Sequence, residues 1–156
     1  MTMPSRARKT AVAKRDTAAA PHVKTLAESK GSNYPPGRML VASPLAVQDE
    51  LAKVQTGRVI TAPQLRARLA RRFGADYTCP ITTGIFLRIV AEAALEEARG
   101  GDVPVWRVVA ENGAMLEKLP GGPERQAERL QAEGVPVVRR RSQWFVDEVE
   151  RVARSD

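Results

Sequence analysis

A mainly α-helical domain with one small β-hairpin, in the order of a winged helix-turn-helix, is the fold class that this 156-residue sequence predicts. Three successive segments carry apolar side chains at three- and four-residue spacing. A β-branched run then leads into Asn112-Gly113, the composition of a tight hairpin turn, and a proline-initiated helix follows Gly121-Gly122. The folded part occupies residues 38–156, and residues 1–37 read as a disordered basic tail and linker.

The tail assignment rests on an Ala-, Lys-, Arg-, Thr- and Pro-rich stretch without sustained apolar periodicity, closed by Tyr34-Pro35-Pro36-Gly37. Folding begins near Met39-Leu40-Val41. Ser43-Pro44 then supplies an N-cap and a first-turn proline for a helix bearing Leu45, Val47, Leu51 and Val54, which stops near Gly57. Arg58-Val59-Ile60 is an extended entry to a second helix, opened by Thr61-Ala62-Pro63, with Leu65, Leu69 and Phe73 on one face. Gly74-Ala75-Asp76 is its stop. A third helix runs from about Thr82 to Ala98, with Ile85, Ile89 and Ala93 on one stripe, and ends at Arg99-Gly100-Gly101. Residues 103–109 and the turn at Asn112-Gly113 form the expected two-stranded wing. The helix after Gly121-Gly122-Pro123 closes at Glu133-Gly134, residues 135–138 are extended, and residues 142–153 form a terminal helix with Phe145, Val149 and Val152 inward.

Composition narrows the class of function. A chain of this length has room for one ordinary core, and with 43% hydrophobic but only 4% aromatic residues that core is aliphatic. Cys79 is the one cysteine and His22 the one histidine, so neither an internal disulfide nor a zinc cluster is expected. There is no glycine-rich phosphate loop, paired carboxylate cluster or Ser-His-Asp arrangement, so neither a cofactor nor conventional catalytic chemistry is expected. No apolar run approaches the roughly 20 residues needed to span a bilayer. The expectation is a soluble, cytoplasmic monomer, associated with the nucleoid if the source is bacterial.

The formal net charge of +7 favours a polyanionic partner, since basic side chains that neutralise phosphates release condensed counterions. Much of the excess lies at the start: residues 1–30 hold Arg6, Arg8, Lys9, Lys14, Arg15, Lys24 and Lys30 against Asp16 and Glu28. That segment is either a solubilising extension or a nucleic-acid-binding arm. In a helix-turn-helix the helix after the turn enters the groove, here the one beginning at Thr82, and the preceding helix crosses the backbone. Arg66, Arg68, Arg71 and Arg72 on that preceding helix are candidate phosphate contacts. Thr82 and Thr83 are candidate donors at a helix N-terminus, and Arg88 is a candidate for base or phosphate contact. The alternative for each is a solvated helix face. Arg139, Arg140 and Arg141 either form a solvated edge or extend the basic surface.

Val103-Pro104-Val105-Trp106-Arg107-Val108-Val109, then Asn112-Gly113, Gly121-Gly122, Glu124-Arg125-Gln126 and Ala132-Glu133-Gly134, together carry a family resemblance. Over residues 40–138 the chain resembles the DNA-binding domain of the methylguanine-DNA methyltransferases, and more closely their catalytically inactive alkyltransferase-like relatives. The resemblance implies a winged helix-turn-helix-like methyltransferase DNA-binding domain, double-stranded and alkylated DNA as partner, and excision-repair proteins as successors at the lesion. The family strand reads Pro-Cys-His-Arg. Matching Pro104 and Arg107 sets Val105 at the acceptor cysteine and Trp106 at the histidine, so the pocket positions are Ala62, Val105, Trp106 and Arg107. Valine has no lone pair, and the indole nitrogen is a donor that cannot act as a base, so alkyl transfer by that route is excluded.

Two departures bear on lesion recognition. The family's helix-opening tyrosine falls on Ala62, and the region of the intercalating arginine reads Thr82-Thr83-Gly84. Extruding a base costs a few kcal/mol, so a chain without these groups needs another wedge or leaves the base stacked. Trp106 either packs in the core or stacks on a base. Glu133 matches the family carboxylate that closes the last helix onto the hinge before the strand. Three readings follow: a non-enzymatic DNA-binding protein of the alkyltransferase-like kind that recognises alkylated guanine and assists repair; a winged-helix transcriptional or architectural DNA binder without lesion recognition; and alkyl transfer through Cys79. At the start of a helix Cys79 is either a packed thiol or a reactive one.

Overall fold

The computed structural model describes residues 8–97 and 103–153. In chain order these form α1 (Ala11–Thr17), β1 (His22–Leu26), β2 (Gly37–Val41), α2 (Pro44–Leu51), β3 (Ile60–Thr61), α3 (Ala62–Arg72), β4 (Tyr77–Thr78), α4 (Pro80–Glu96), a 3-10 turn (Val105–Arg107), β5 (Val108–Val109), α5 (Gly122–Ala132), β6 (Val137–Arg140), β7 (Gln143–Val146) and α6 (Val149–Val152). The expected helix stop at Arg99-Gly100-Gly101 lies outside the described residues.

The two helix starts read from sequence form as their chemistry dictates. Ser43 Oγ accepts from the Ala46 N–H at 3.1 Å, with Pro44 in the first turn of α2. At α3 the Thr61 hydroxyl accepts from the Gln64 N–H at 3.3 Å while Gln64 Oε1 accepts from the Thr61 N–H at 3.0 Å, a reciprocal capping box. Leu40, Val47, Leu51, Ile60, Leu65, Leu69, Val90 and Val108 fill one aliphatic core between α2, α3 and α4. A second cluster joins Trp106, Val109, Met115, Leu130, Val135 and Val146 beneath α5, and Val105 packs against both.

The architecture is mixed α/β rather than mainly α with one hairpin. Among the described residues there are three small sheets: β1-β2-β4, with β1 antiparallel and β4 parallel to β2; the parallel pair β3-β5; and the antiparallel hairpin β6-β7. The wing expected across Asn112-Gly113 does not form. Residues 105–107 coil into a 3-10 turn, β5 is only two residues long, and it pairs with β3, Ile60 opposite Val108. Asn112-Gly113 does turn the chain, through Gly113 N–H to Ala110 O at 2.8 Å. Gly113, with φ of 89°, then lies so close to β7 that a Cβ would stand 2.8 Å from Val146 O.

The hairpin is instead made downstream, where a helix over 142–153 is expected. Arg141 and Ser142 both take left-handed φ, 49° and 67°, and reverse the chain so that Arg140 faces Gln143. Gln143-Trp144-Phe145-Val146, an aromatic and β-branched run, is β7, and only Val149–Val152 is helical.

Residues 8–37, expected as disordered tail and linker, carry α1 and β1. Polar anchors explain both their order and the missing periodicity. Glu96 at the end of α4 accepts from the Ala11 and Val12 N–H groups at 2.8 and 3.0 Å, closing the start of α1, and Arg15 is buried in an ion pair with Glu97. β1 pairs along its length with β2, His22 opposite Val41 through Leu26 opposite Gly37.

Candidate nucleic-acid interface

Two α-helices joined by a short strand present the basic residues. β4 fixes the relation of α3 to α4: the Thr78 hydroxyl donates to Arg66 O at 2.8 Å, and the Cys79 N–H donates to Leu40 O at 2.9 Å. The side chains of Arg66, Arg68 and Arg71 make no hydrogen bond or ion pair among the described residues. Arg66 and Arg71 border a cleft of about 560 Å³ that is also lined by Asn33, Tyr77 and Pro80 at the start of α4. Arg72 belongs to the scaffold, pairing with Asp49 at 3.3 Å and with the buried Glu50 at 3.5 Å while its guanidinium lies over Phe73. The cluster read as one basic face is thus three free arginines and one committed one.

At the start of α4 the two threonines differ. Thr83 is buried and its hydroxyl donates to Cys79 O at 2.7 Å, whereas Thr82 is half-exposed with a longer contact of 3.5 Å to the same oxygen. Arg88 is exposed and pairs with Glu92 at 2.9 Å, one helical turn on. Cys79 is 4% exposed, with its sulfur 3.7 Å from the Tyr34 hydroxyl. Burial pushes the thiol up, but hydrogen bonds from Thr82 and Tyr34 to the sulfur outweigh it, and the net shift is downward.

Val105, Trp106 and Arg107 follow one another in the 3-10 turn. Trp106 is 8% exposed, donates Nε1–H to Glu133 Oε1 at 3.2 Å, and lies under the Arg129 guanidinium, whose Cζ is 4.0 Å from the ring centre. The indole is therefore packed against α5. Arg107 donates Nε–H to both Glu133 oxygens at 2.9 and 3.0 Å, pairs with the same carboxylate through Nη2, and donates Nη1–H to Val54 O at 2.6 Å. Burial raises the Glu133 carboxyl, but the bonds from Arg107 and Trp106 outweigh that and hold it below the ordinary carboxylate range. Ala62 opens α3 beside the β3-β5 pair, half-buried. The cleft that Trp106 borders, about 320 Å³ with Arg125, Glu128 and Arg129, includes neither Ala62 nor Val105. The turn itself offers a branched hydrocarbon, an N–H donor and a guanidinium, none of them nucleophilic.

Gln126, which sequence reasoning used only as a motif letter, is the buried polar link of the region. Its Nε2 donates to Trp106 O at 3.0 Å and to Val108 O at 2.6 Å, and its Oε1 accepts from the Leu116 N–H at 2.8 Å. A glutamine on the inward face of α5, four positions from Leu130, was the available signal.

Among the described residues no three His, Cys, Asp or Glu side chains are grouped to hold a metal ion, and no helix is long and apolar enough to cross a membrane. Comparison with curated protein sequences finds no match. Among solved structures the chain is similar to S. pombe Atl1 in complex with damaged DNA containing O6-carboxymethylguanine, with 21% identity, 72% of this chain and 94% of that one covered, and a TM-score of 0.51. It is similar as well to the S. pombe ATL protein in complex with DNA, at the same identity and coverage with a TM-score of 0.52. Likeness at that identity speaks to the fold, and the family is shown by sequence: residues 43–135, more than half the chain, match the profile described as the 6-O-methylguanine DNA methyltransferase DNA binding domain. The chain belongs to the 6-O-methylguanine DNA methyltransferase DNA-binding domain family.

Proposed function

We propose that this chain is a non-enzymatic, alkyltransferase-like DNA-binding protein, which docks α3 and α4 on a duplex as the two helices of a helix-turn-helix and assists repair of alkylated guanine. The observation that carries the reading is the hydrogen bond from Trp106 to Glu133 beside Val105. Where the family motif has a cysteine activated by a histidine, these residues supply no nucleophile and no base, and the carboxylate is spent on an indole N–H and a guanidinium. The fold shared with the S. pombe proteins, which were crystallised on DNA, supports the same conclusion. Arg66, Arg68 and Arg71 would contact phosphates, with Thr82 and Arg88 at the groove. Arg72, Thr83 and Arg107 act as scaffold. The β6-β7 hairpin with Arg139, Arg140 and Arg141 takes the place of the wing, and residues 38–156 form the DNA-binding unit. Double-stranded DNA and excision-repair proteins are the partners, and the chain acts as a monomer in the cytoplasm or nucleoid.

Paired duplexes that differ by one O6-methylguanine test this reading. Tighter binding to the modified duplex is expected, with no gain of mass on the protein after incubation. Equal affinities would leave the second reading, a winged-helix transcriptional or architectural binder, which Ala62 and the packed Trp106 favour because neither offers an aromatic face to an extruded base. A 14-dalton gain on Cys79 would instead establish methyl transfer, against the burial of that thiol.

A further inference from the structure

Helix α4 is amphipathic the wrong way round at its start. Of the four large hydrophobic side chains left exposed among the described residues, three stand on this one helix: Ile81 at 56%, Ile85 at 52% and Leu95 at 59%. Ile81, Gly84, Ile85 and Arg88 follow the i, i+3, i+4, i+7 spacing and are all exposed, so they make one outward stripe, while Leu87, Val90 and Ala91 face the core. Gly84 is a poorer helix former than alanine. Packing does not require it, because nothing lies within 4 Å of where its Cβ would stand. Two branched apolar side chains therefore flank a bare stretch of backbone that something can approach closely.

The surroundings of this ridge say what that is. Arg88, paired with Glu92, ends the stripe, and the unpaired Arg66 and Arg71 border the cleft that reaches Pro80 at the start of α4. An apolar ridge beside these two cations fits a ligand that is anionic outside and apolar inside, which describes a duplex with its phosphates and its stacked bases. A second copy of this chain would bring its own arginines against these. Proteins that kink DNA use such apolar side chains as wedges, trading unstacking for closer contact. We propose, on the DNA-binding reading above, that Ile81 and Ile85 form an apolar wedge that enters the base stack and opens the step on which α4 docks. Such a wedge makes no hydrogen bond, so it favours steps that unstack readily, TA and CA/TG, over any particular base.

The test uses the full chain and short duplexes in which 2-aminopurine replaces each adenine in turn. With wild-type protein, emission is expected to rise at least twofold at one TA or CA position, reporting an unstacked base. Ile81→Ala/Ile85→Ala, which changes only exposed side chains, is expected to keep the wild-type melting temperature and salt dependence, to lose the emission rise and to bind about tenfold more weakly. If the double variant binds and brightens the duplex as wild type does, the wedge is overturned while DNA binding stands. If wild type binds no duplex, both readings fall together. If sedimentation shows a wild-type dimer that the double variant converts to monomer, the ridge is a self-association surface and the proposal is overturned.

Discussion

Trp106 donates its indole N–H to Glu133 Oε1 at 3.2 Å, and Arg107, one residue later, holds both oxygens of the same carboxylate. One acid at the C-cap of α5 thus fixes two consecutive side chains of the 3-10 turn, and Arg107 carries the link on to Val54 O beyond α2. The family resemblance identifies Glu133 as a fold carboxylate. The geometry gives it a physical task, neutralising a guanidinium that is only 12% exposed beside a carboxylate that is 11% exposed.

Breaking this pair from one side leaves a buried charge. Glu133→Ala is expected to destabilise the protein by about 3 kcal/mol, the cost of stranding one partner of a buried ion pair. Adding Arg107→Met should recover part of that loss, because the stranded charge is then gone as well. Urea denaturation of the two single variants and the double variant measures the coupling. Additive losses would show that the pair contributes nothing beyond its separate side chains.

The same carboxylate sets an acid dependence. Its folded pKa lies below the unfolded one, so its stabilisation is complete above the unfolded value of about 4.3 and is lost as pH falls through the folded value. Glu96, held down by the Val12 and Ala11 N–H groups, acts in the same sense. Stability is therefore expected to fall as pH drops below about 4.3, and Glu133→Gln should fall less steeply without becoming flat. Urea midpoints between pH 7 and pH 3 check this, and equal slopes in the two proteins would contradict it.

Gln126 supports the turn from beneath. Replacing it by leucine preserves bulk but leaves the Leu116 N–H and the Trp106 and Val108 carbonyls without this partner. A loss of about 3 kcal/mol in denaturant titration is expected, because each buried group stranded costs about 1 to 3 kcal/mol. Gln126→Glu keeps the acceptor and loses the donor, so it should fail at the two carbonyls while retaining the bond from Leu116. Amide exchange at Leu116 separates the two variants.

What the sequence made legible divides along physical lines. Helices α2, α3 and α5 were readable because Ser43, Thr61 and Pro123 mark their starts and apolar side chains recur on one face, whereas α4 begins at Pro80 rather than Thr82, without a side-chain cap, and Ile85 of its expected stripe faces outward. The order of α1 and β1 was not, because Glu96 and Glu97 hold α1 from 80 residues and more away and β1 is held by its ladder with β2. The hairpin was misplaced because two turns competed. Asn112-Gly113 has the stronger turn composition, but Arg141-Ser142 joins the two segments able to pair, and Gly113 is used to let β7 approach. In the candidate site, the basic face was visible by residue type. That Arg72 was already paired, and that Thr83 turned inward, depended on Asp49, Glu50 and the fold of the Cys79 carbonyl, which no spacing reveals.

That division among the arginines gives a direct test of the interface. Each phosphate contact contributes about 0.9 to the slope of log K against log salt. Arg66→Gln/Arg71→Gln removes two unpaired guanidinium groups from the cleft beside α4, so the slope should fall by about 1.8 with little change in melting temperature. Arg72→Gln removes an arginine of the same helix turn whose charge is already matched by Asp49 and Glu50. It should lower the melting temperature and leave the slope as it was. Titrations of a fluorescent duplex at four salt concentrations resolve the difference. A slope that responds to Arg72 and not to Arg66 and Arg71 would mean that the duplex lies across the other side of α3.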